Sequence, residues 1–317
     1  MTAQEKYIQY CNTVKDISLF QQAWWLDAVC GQQNWDAVIN ESNGNIVGAW
    51  AYPIKKKYNL KLIAMPMLTP GLGPVITYFA GQKPATQLSH EQQVLDELIN
   101  QLPNFDLFDL YFLPKYKNHL SFYWKGFTQS TRYTYLINDL TNLDKVFENF
   151  NSSIRTQIRK AEKEITITES DDIELFYKIN SLTFKRQSKK VPYSIAYVKQ
   201  IDEACKKNNC RKILFAKDAS GNIHAAVYIV WDTQSAYYLM GGADETFKSS
   251  GAYSLLLWNG IQTASTLTKQ FNFCGSMLPT VERFFRSFGG DQTPYLHLKK
   301  VNSKALKLFL ALNSIRS

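Results

Sequence analysis

Val38–Ile54 reads VINESNGNIVGAWAYPI, and Phe215–Val230 reads FAKDASGNIHAAVYIV. Each stretch is an apolar run, a short acidic turn bearing glycine, and a second apolar run. That pattern is the signature of a β-hairpin. Gly44, Asn45 and Ile46 correspond to Gly221, Asn222 and Ile223 at an offset of 177 residues. At the same offset Glu41 meets Asp218 and Ala49 meets Ala226. Related hairpins at this separation predict an internal repeat, with two copies of one α/β unit in a single chain.

Working outward from the second hairpin, the elements follow a legible order. A helix is expected over Leu143–Lys163, with Leu143, Val146, Phe147, Phe150, Ile154, Ile158 and Ala161 on one stripe. A short strand follows at Ile165–Glu169. Asp171 or Asp172 then caps a helix to about Gln187, and another helix runs from about Ser194 to Lys207. Strands are expected at Lys212–Lys217, Ile223–Trp231 and Ala236–Gly241, then a helix near Ala252–Thr266. A strand Gln270–Cys274, a helix Val281–Phe288 and a strand Tyr295–Lys299 complete the unit, in the order β-α-α-β-β-β-α-β-α-β. The first copy repeats part of this: its hairpin precedes a strand near Leu60–Met65, a Pro/Gly loop, a helix near His90–Leu102 and a strand Leu107–Phe112. The expected units are residues 1–145 and 146–317, joined near Leu140–Ser153.

Composition agrees with a folded α/β protein. Of 317 residues, 45% are apolar and 20% charged, with 19 Phe, 18 Tyr and 7 Trp, enough bulk for two cores. The longest uncharged apolar stretch, from Leu62 to Gly81, holds three prolines and three glycines and reads as loop, so no membrane span is expected. Five scattered cysteines without a CxxC pair and four dispersed histidines point away from a disulfide framework and from a structural metal. With no basic-then-apolar leader at the N-terminus, a cytoplasmic protein is expected. Charge is unevenly shared. Residues 1–150 hold 12 Lys+Arg against 13 Asp+Glu, and residues 151–317 hold 24 against 14. A basic second half suggests an anionic ligand, namely nucleic acid, a nucleotide cofactor or a membrane surface; surface lysines serving solubility are the plain alternative.

The second unit resembles the GNAT acyltransferase fold, and two such units in tandem with a basic helix between them resemble the FemAB group. Four stretches carry the likeness: Ser153-Ile154-Arg155 followed by Ile158-Arg159-Lys160-Ala161; Ala236-Tyr237-Tyr238-Leu239 running into Gly241-Gly242; Phe271-Asn272-Phe273-Cys274-Gly275-Ser276; and Arg283-Phe284-Phe285-Arg286-Ser287-Phe288-Gly289-Gly290. Where the GNAT pyrophosphate loop has Gln/Arg-x-x-Gly-x-Gly/Ala, this chain has Lys248-Ser249-Ser250-Gly251-Ala252-Tyr253, and Asn272 stands where FemAB members usually carry an acid. The resemblance implies an α/β (α+β) chain of two GNAT-like units, each a mixed, mostly antiparallel sheet with flanking helices. It implies transfer of an acyl group from acyl-CoA, or of an aminoacyl group from aminoacyl-tRNA, to the amine of a small molecule or peptide.

Such a reaction asks for little machinery. The donor is already activated, so the protein holds donor and acceptor together, stabilises an oxyanion and moves a proton. Lys248, Ser249, Ser250, Gly251 and Ala252 are the expected donor-phosphate site, because a helix N-terminus after a glycine favours an anion. An ordinary serine N-cap is the competing explanation. Tyr237 and Tyr238 alternate across a strand, and Tyr238 is the candidate proton donor to the leaving group. Glu282 is the candidate general base, although an ion pair with Arg286 one turn away is the simpler reading. Arg186, Gly275, Ser276 and Arg286 are candidate substrate contacts. Arg155 and Arg159 share a helix face and suit either a solvated surface or a phosphate clamp. The first unit's counterpart loop, Pro66–Gly73, lacks any basic residue, and the first unit is expected to bind no phosphate-bearing donor. Two further readings stay open: a catalytically inactive GNAT-fold binding protein, and a nucleic-acid-binding protein.

Overall fold

The computed structural model describes residues 1–314 and divides into two compact units, Met1–Arg132 with the chain from Pro294 on, and Tyr133–Thr293. The first unit opens with α1 (Ala3–Thr13), whose start is locked by a capping box. The Thr2 hydroxyl accepts from the Glu5 N–H, and the Glu5 carboxylate accepts from the Thr2 N–H. After α2 (Ala23–Cys30) comes the first expected hairpin, β1 (Trp35–Ser42) and β2 (Asn45–Pro53). Its two turn residues, Asn43 and Gly44, have φ of 51° and 77°, the conformation a tight hairpin turn demands and Asn-Gly supplies. Then follow β3 (Lys55–Lys57), β4 (Leu60–Ala64), β5 (Val75–Ile76), α3 (Pro84–Gln101), β6 (Leu107–Tyr111) and α4 (Leu120–Trp124). Trp50 on β2 centres this core, edge-on to Phe108, Phe112 and Phe122.

β7 (Thr128–Ile137) carries the chain into the second unit. There lie α5 (Leu143–Glu148), α6 (Ser152–Ala161), β8 (Thr166–Glu169), α7 (Ile173–Arg186), α8 (Ile195–Lys207), β9 (Arg211–Lys217), β10 (Ile223–Trp231) and β11 (Ser235–Ala243). A 3-10 segment (Glu245–Ser250), α9 (Ala252–Ser265), β12 (Gln270–Asn272) and α10 (Pro279–Arg286) complete it. The strand order is β7-β12-β11-β10-β9-β8, antiparallel throughout except for the parallel β11–β12 pair. β13 (Asp291–Val301) returns the chain to the first unit, which ends in α11 (Lys304–Ser314).

The repeat is visible in the pairing. β1 and β2 pair antiparallel as β9 and β10 do. β4 lies parallel to β6 with α3 between them in sequence, as β11 lies parallel to β12 with α9 between. The chain is thus two α/β units with mixed, mostly antiparallel sheets and flanking helices. No helix among the described residues is long and apolar enough to cross a membrane.

Three expectations need correction. The single helix over Leu143–Lys163 is two, α5 and α6, broken at Asn149–Asn151. Phe150 stays buried across the break, Asn151 caps α6, and its N–H donates to the Ser287 carbonyl at 2.9 Å. The Asn149 carbonyl packs so closely on Gly289 that a Cβ there would lie 2.4 Å from it. The strand expected at Tyr295–Lys299 in the second unit is longer, and it serves the first: His297–Val301 pair antiparallel with Leu107–Tyr111. The units therefore meet in sequence at 132/133 and again at 293/294, not at 145/146.

Candidate functional site

The site begins where two parallel strands part. β11 and β12 pair over Ser235–Tyr237 and Gln270–Asn272. Beyond that, β11 runs on to Ala243 while the other chain turns away. Asn272 makes the turn: its Oδ1 accepts from the Cys274 N–H at 2.8 Å and from the Thr134 hydroxyl at 2.7 Å. Cys274 takes φ 57° and Gly275 φ 62°. A Cβ on Gly275 would stand 2.2 Å from the Tyr133 carbonyl oxygen, so only glycine lets this chain hug β7. Across the β10–β11 pair, Tyr228 opposes Met240 and Ile229 opposes Tyr238, and Leu239 of β11 forms a β-bulge that re-aims the strand at the opening. The resulting wedge holds a cavity of about 720 Å³, lined by Tyr238, Leu239 and Gly241 on one side and Phe273, Cys274, Gly275 and Ser276 on the other.

At one end of the cavity lies the start of α9. Gly251 adopts φ 76°, ψ 1°, and a Cβ on it would lie 2.6 Å from the Gln157 carbonyl of α6. The Ser250 hydroxyl accepts from the Ala252 N–H at 3.2 Å, and Ser254 donates to Gln157 Oε1 at 2.9 Å. Ser250, Gly251 and Ala252 all line the cavity. The first-turn N–H groups of a helix lack intrahelical partners, and with the helix dipole they favour an anion. Lys248 and Arg186 also line the cavity, and both are engaged by one acid: Glu245 pairs with Lys248 at 2.8 Å and with Arg186 at 2.9 Å. Those contacts, Lys248 first, hold the Glu245 carboxyl below its ordinary value. Ser249 is exposed and lies outside the lining.

Two tyrosine hydroxyls meet midway along the wedge. Tyr238 Oη and Tyr253 Oη are 2.5 Å apart, over Gly241, where a Cβ would lie 2.5 Å from both. Burial pushes both phenols up, Tyr238 well above its ordinary value and Tyr253 to about 12, so both carry their protons at neutral pH. The Tyr238 hydrogen bond and the Arg186 charge partly offset the effect of burial on Tyr253. Behind them Asn180 of α7 donates to the Gly241 carbonyl at 2.8 Å and accepts from Tyr193 at 2.9 Å, fixing β11 in place.

The expected residues sort as follows. Tyr238 faces the cavity, whereas Tyr237 is buried on the other face with its hydroxyl on Asp232. Gly275, Ser276, Arg186, Lys248, Ser250, Gly251 and Ala252 are brought together. Glu282 and Arg286 are not: Glu282 accepts from Tyr135 and pairs with Arg286 at 3.1 Å, while neighbouring Val281, Phe284 and Phe285 line the cavity. Arg159 lies over the Phe147 ring, 5.7 Å from its centroid, a packing role. The Cys274 thiol lines the cavity, but burial raises its pKa, which does not suit a nucleophile. Sequence reasoning missed Tyr253, one residue past the loop it had singled out. It also missed His224, which stacks on Phe247 with centroids 3.9 Å apart, bonds Asp218 at 3.2 Å, and pins the 3-10 segment to β10. Among the described residues, no group of three or more His, Cys, Asp or Glu is placed to hold a metal ion.

The first unit fills its own equivalent wedge. Beside the end of β6, the Leu72 N–H donates to the Tyr111 carbonyl at 2.8 Å and the Leu113 N–H to the Leu72 carbonyl at 2.9 Å. Gly71 packs 3.0 Å from the Leu113 nitrogen, measured from where its Cβ would be. Gln21 donates to the Gly73 carbonyl and Trp25 to the Thr69 hydroxyl, tying the segment down.

Comparison with known proteins agrees with this geometry. Residues 148–276 match the family model for the acetyltransferase (GNAT) domain. No curated protein matches the chain. A crystal structure of FemX superposes with a TM-score of 0.66 at 12% identity, covering 92% of this chain and 95% of that one. L-PGS from Bacillus licheniformis gives 0.55 at 11% identity, with 98% and 94% covered. A tandem GNAT protein from the clavulanic acid biosynthesis pathway, solved without AcCoA, gives 0.51 at 9% identity, with 85% and 83% covered. Residues 148–276 are thus similar to the acetyltransferase (GNAT) domain, and the chain shares the fold of the FemX and tandem GNAT structures.

Proposed function

We propose that the second unit transfers an acyl group from an acyl-CoA thioester to the amine of a small molecule or peptide. The observation that carries this is the wedge itself: an opened strand edge that runs from a helix N-terminus to a pair of protonated tyrosines. The α9 N-terminus, Ser250 and Lys248 hold the donor's phosphates. The free edge of β11 beyond Tyr237 offers backbone groups to an extended donor arm. The amine nitrogen attacks the thioester carbonyl carbon, and the carbon–sulfur bond breaks. The Tyr238–Tyr253 pair gives a proton to the leaving thiolate and is reprotonated by the excess proton of the amine, carried through solvent. No covalent enzyme intermediate is involved. The first unit, with its wedge occupied by residues 69–73, takes no donor.

A second reading has its own support. Lys185, Lys189 and Lys190 are exposed at the end of α7 beside Arg186. Such a basic margin suits an aminoacyl-tRNA donor, whose affinity would fall steeply with salt. Calorimetry with CoA and acetyl-CoA, using Lys248→Ala as control, tests the proposal. Binding that the substitution weakens supports an acyl-CoA donor, and subsequent release of free thiol with a panel of amines identifies the acceptor. Absence of CoA binding, with salt-sensitive binding of charged tRNA, selects the aminoacyl reading. Donor binding without turnover on any amine selects an inactive GNAT-fold binder.

A further inference from the structure

We propose that the first unit docks on an anionic lipid surface through α11 and the end of α4. The chemistry is written along α11. Ala305, Leu308, Phe309 and Leu312 follow the i, i+3, i+4, i+7 spacing of one helix face, the spacing that normally marks a buried stripe. Here the face is turned to solvent: Leu308 is 64% exposed, Phe309 59% and Leu312 53%. Leu306 and Leu310, on the other side, are half-buried. The helix therefore seats one apolar side and leaves a second uncovered.

The charge around the stripe says what covers it. From Gln292 to Leu312 the chain has four lysines, Lys299, Lys300, Lys304 and Lys307, and no Asp or Glu. Lys304 and Lys307 are exposed on the helix, with Lys304 next to the Leu308 edge of the stripe. An apolar face with Lys304 at its edge suits an interfacial helix, whose apolar side enters the acyl boundary while the ammonium group meets lipid phosphates. Two copies of this chain stacked on the same face would bring like charges together.

A second exposed apolar element stands at the root of α11. Tyr123 and Trp124 close α4, and both are exposed. One residue later, the Lys125 carbonyl accepts from Lys300 Nζ at 2.7 Å, and Lys300 precedes α11 by four residues. Indole and phenol rings are the side chains that favour a membrane–water interface, apolar in body and polar at the tip. The proposal is independent of the acyl-transfer reading. It gives the unit without an open donor wedge a task of its own.

The experiment is co-sedimentation of the full chain with vesicles of phosphatidylcholine, with and without phosphatidylglycerol. Partitioning is expected to be at least about tenfold stronger onto the anionic vesicles and to weaken in about 0.5 M salt. Lys304→Glu, at the edge of the stripe, should reduce it about fivefold or more, and Lys307→Glu, on the far side of the helix, should reduce it less. Leu308→Ser with Phe309→Ser should abolish it while leaving near-ultraviolet circular dichroism unchanged, since both side chains are exposed. Absence of binding to anionic vesicles overturns the proposal. So does binding that survives the α11 substitutions. A dimer that Leu308→Ser with Phe309→Ser dissolves, without lipid binding, also overturns it and assigns the stripe to a second copy.

Discussion

Replacing Gly251 by alanine separates two costs that are usually entangled. Gly251 has φ 76°, and its missing Cβ would lie 2.6 Å from the Gln157 carbonyl oxygen and 3.2 Å from its carbon. Gly221, in the same unit, has a similar φ of 82° and nothing within 4 Å of its missing Cβ. Both substitutions force an L-residue into the left-handed region, at about 1–2 kcal/mol. Only Gly251→Ala also drives a methyl into a helix backbone. A carbonyl in the middle of α6 cannot swing aside, so α6 and α9 must move apart, at about 1–3 kcal/mol more. Gly251→Ala should therefore cost about 2–5 kcal/mol and Gly221→Ala about 1–2 kcal/mol. Amide hydrogen exchange reads this locally, which matters in a chain of two units, where a single unfolding free energy is poorly defined. Protection of α9 amides should be about 5- to 150-fold lower in Gly251→Ala than in Gly221→Ala. Equal protection in the two variants would refute the argument that close approach, rather than backbone conformation, requires the glycine.

Three further outcomes are expected. Tyr238→Phe and Tyr253→Phe should each lower thioester turnover about 100-fold or more while changing donor affinity only a few-fold, as thiol release and calorimetry will report; loss of donor binding instead would make the pair structural. Glu245→Gln should strengthen binding of a phosphate-bearing donor a few-fold at low salt, because it frees Lys248 and Arg186 from a carboxylate that also repels phosphate; unchanged or weaker binding would show that Glu245 orients the two cations. Asp171 is held at about 2 by Lys206 and then Arg211, and Asp218 at about 2 by Asn222 first. A depressed carboxyl adds stability above its unfolded value, and that contribution is lost as pH falls through the folded one. The urea midpoint of the second unit should drop between about pH 4 and pH 2, with a shallower drop in Asp171→Asn; parallel curves would exclude that pair as the cause.

Local chemistry made most of the second unit legible. The hairpins could be read because Asn43-Gly44 and the Asp218–Gly221 turn supply positive φ and side-chain hydrogen bonds within a few residues. α7 and α8 could be read from their caps, Asp172 and Ser194. The break between α5 and α6 was hidden because Phe150 keeps the apolar stripe in phase; it depends on Ser287 and Gly289, more than 130 residues away. The partner of β13 was hidden for the same reason, since strand pairing at long range leaves no local signal. The Gly and Ser of the loop before α9 stood out in the sequence, but nothing local marked Tyr253, which meets Tyr238 over Gly241. Glu282 was singled out for its chemistry, and helix phase turned it toward Tyr135.

The return of the chain through β13 has a consequence for synthesis. The first unit contains the N-terminus, yet its β6 stays half-paired until His297–Val301 have been made, and Leu296 and Leu298 belong to its core. The second unit ends at Thr293. On the ribosome, the unit encoded later can close first, while the earlier one waits with an open β6 edge for nearly two hundred residues. Closing so long a loop is an entropic cost met at the end of synthesis. A chain cut after Thr293 and held on the ribosome by a linker long enough to span the exit tunnel would carry a finished second unit beside an unfinished first unit, and pulse proteolysis of such stalled chains should cleave the N-terminal residues and spare the second unit.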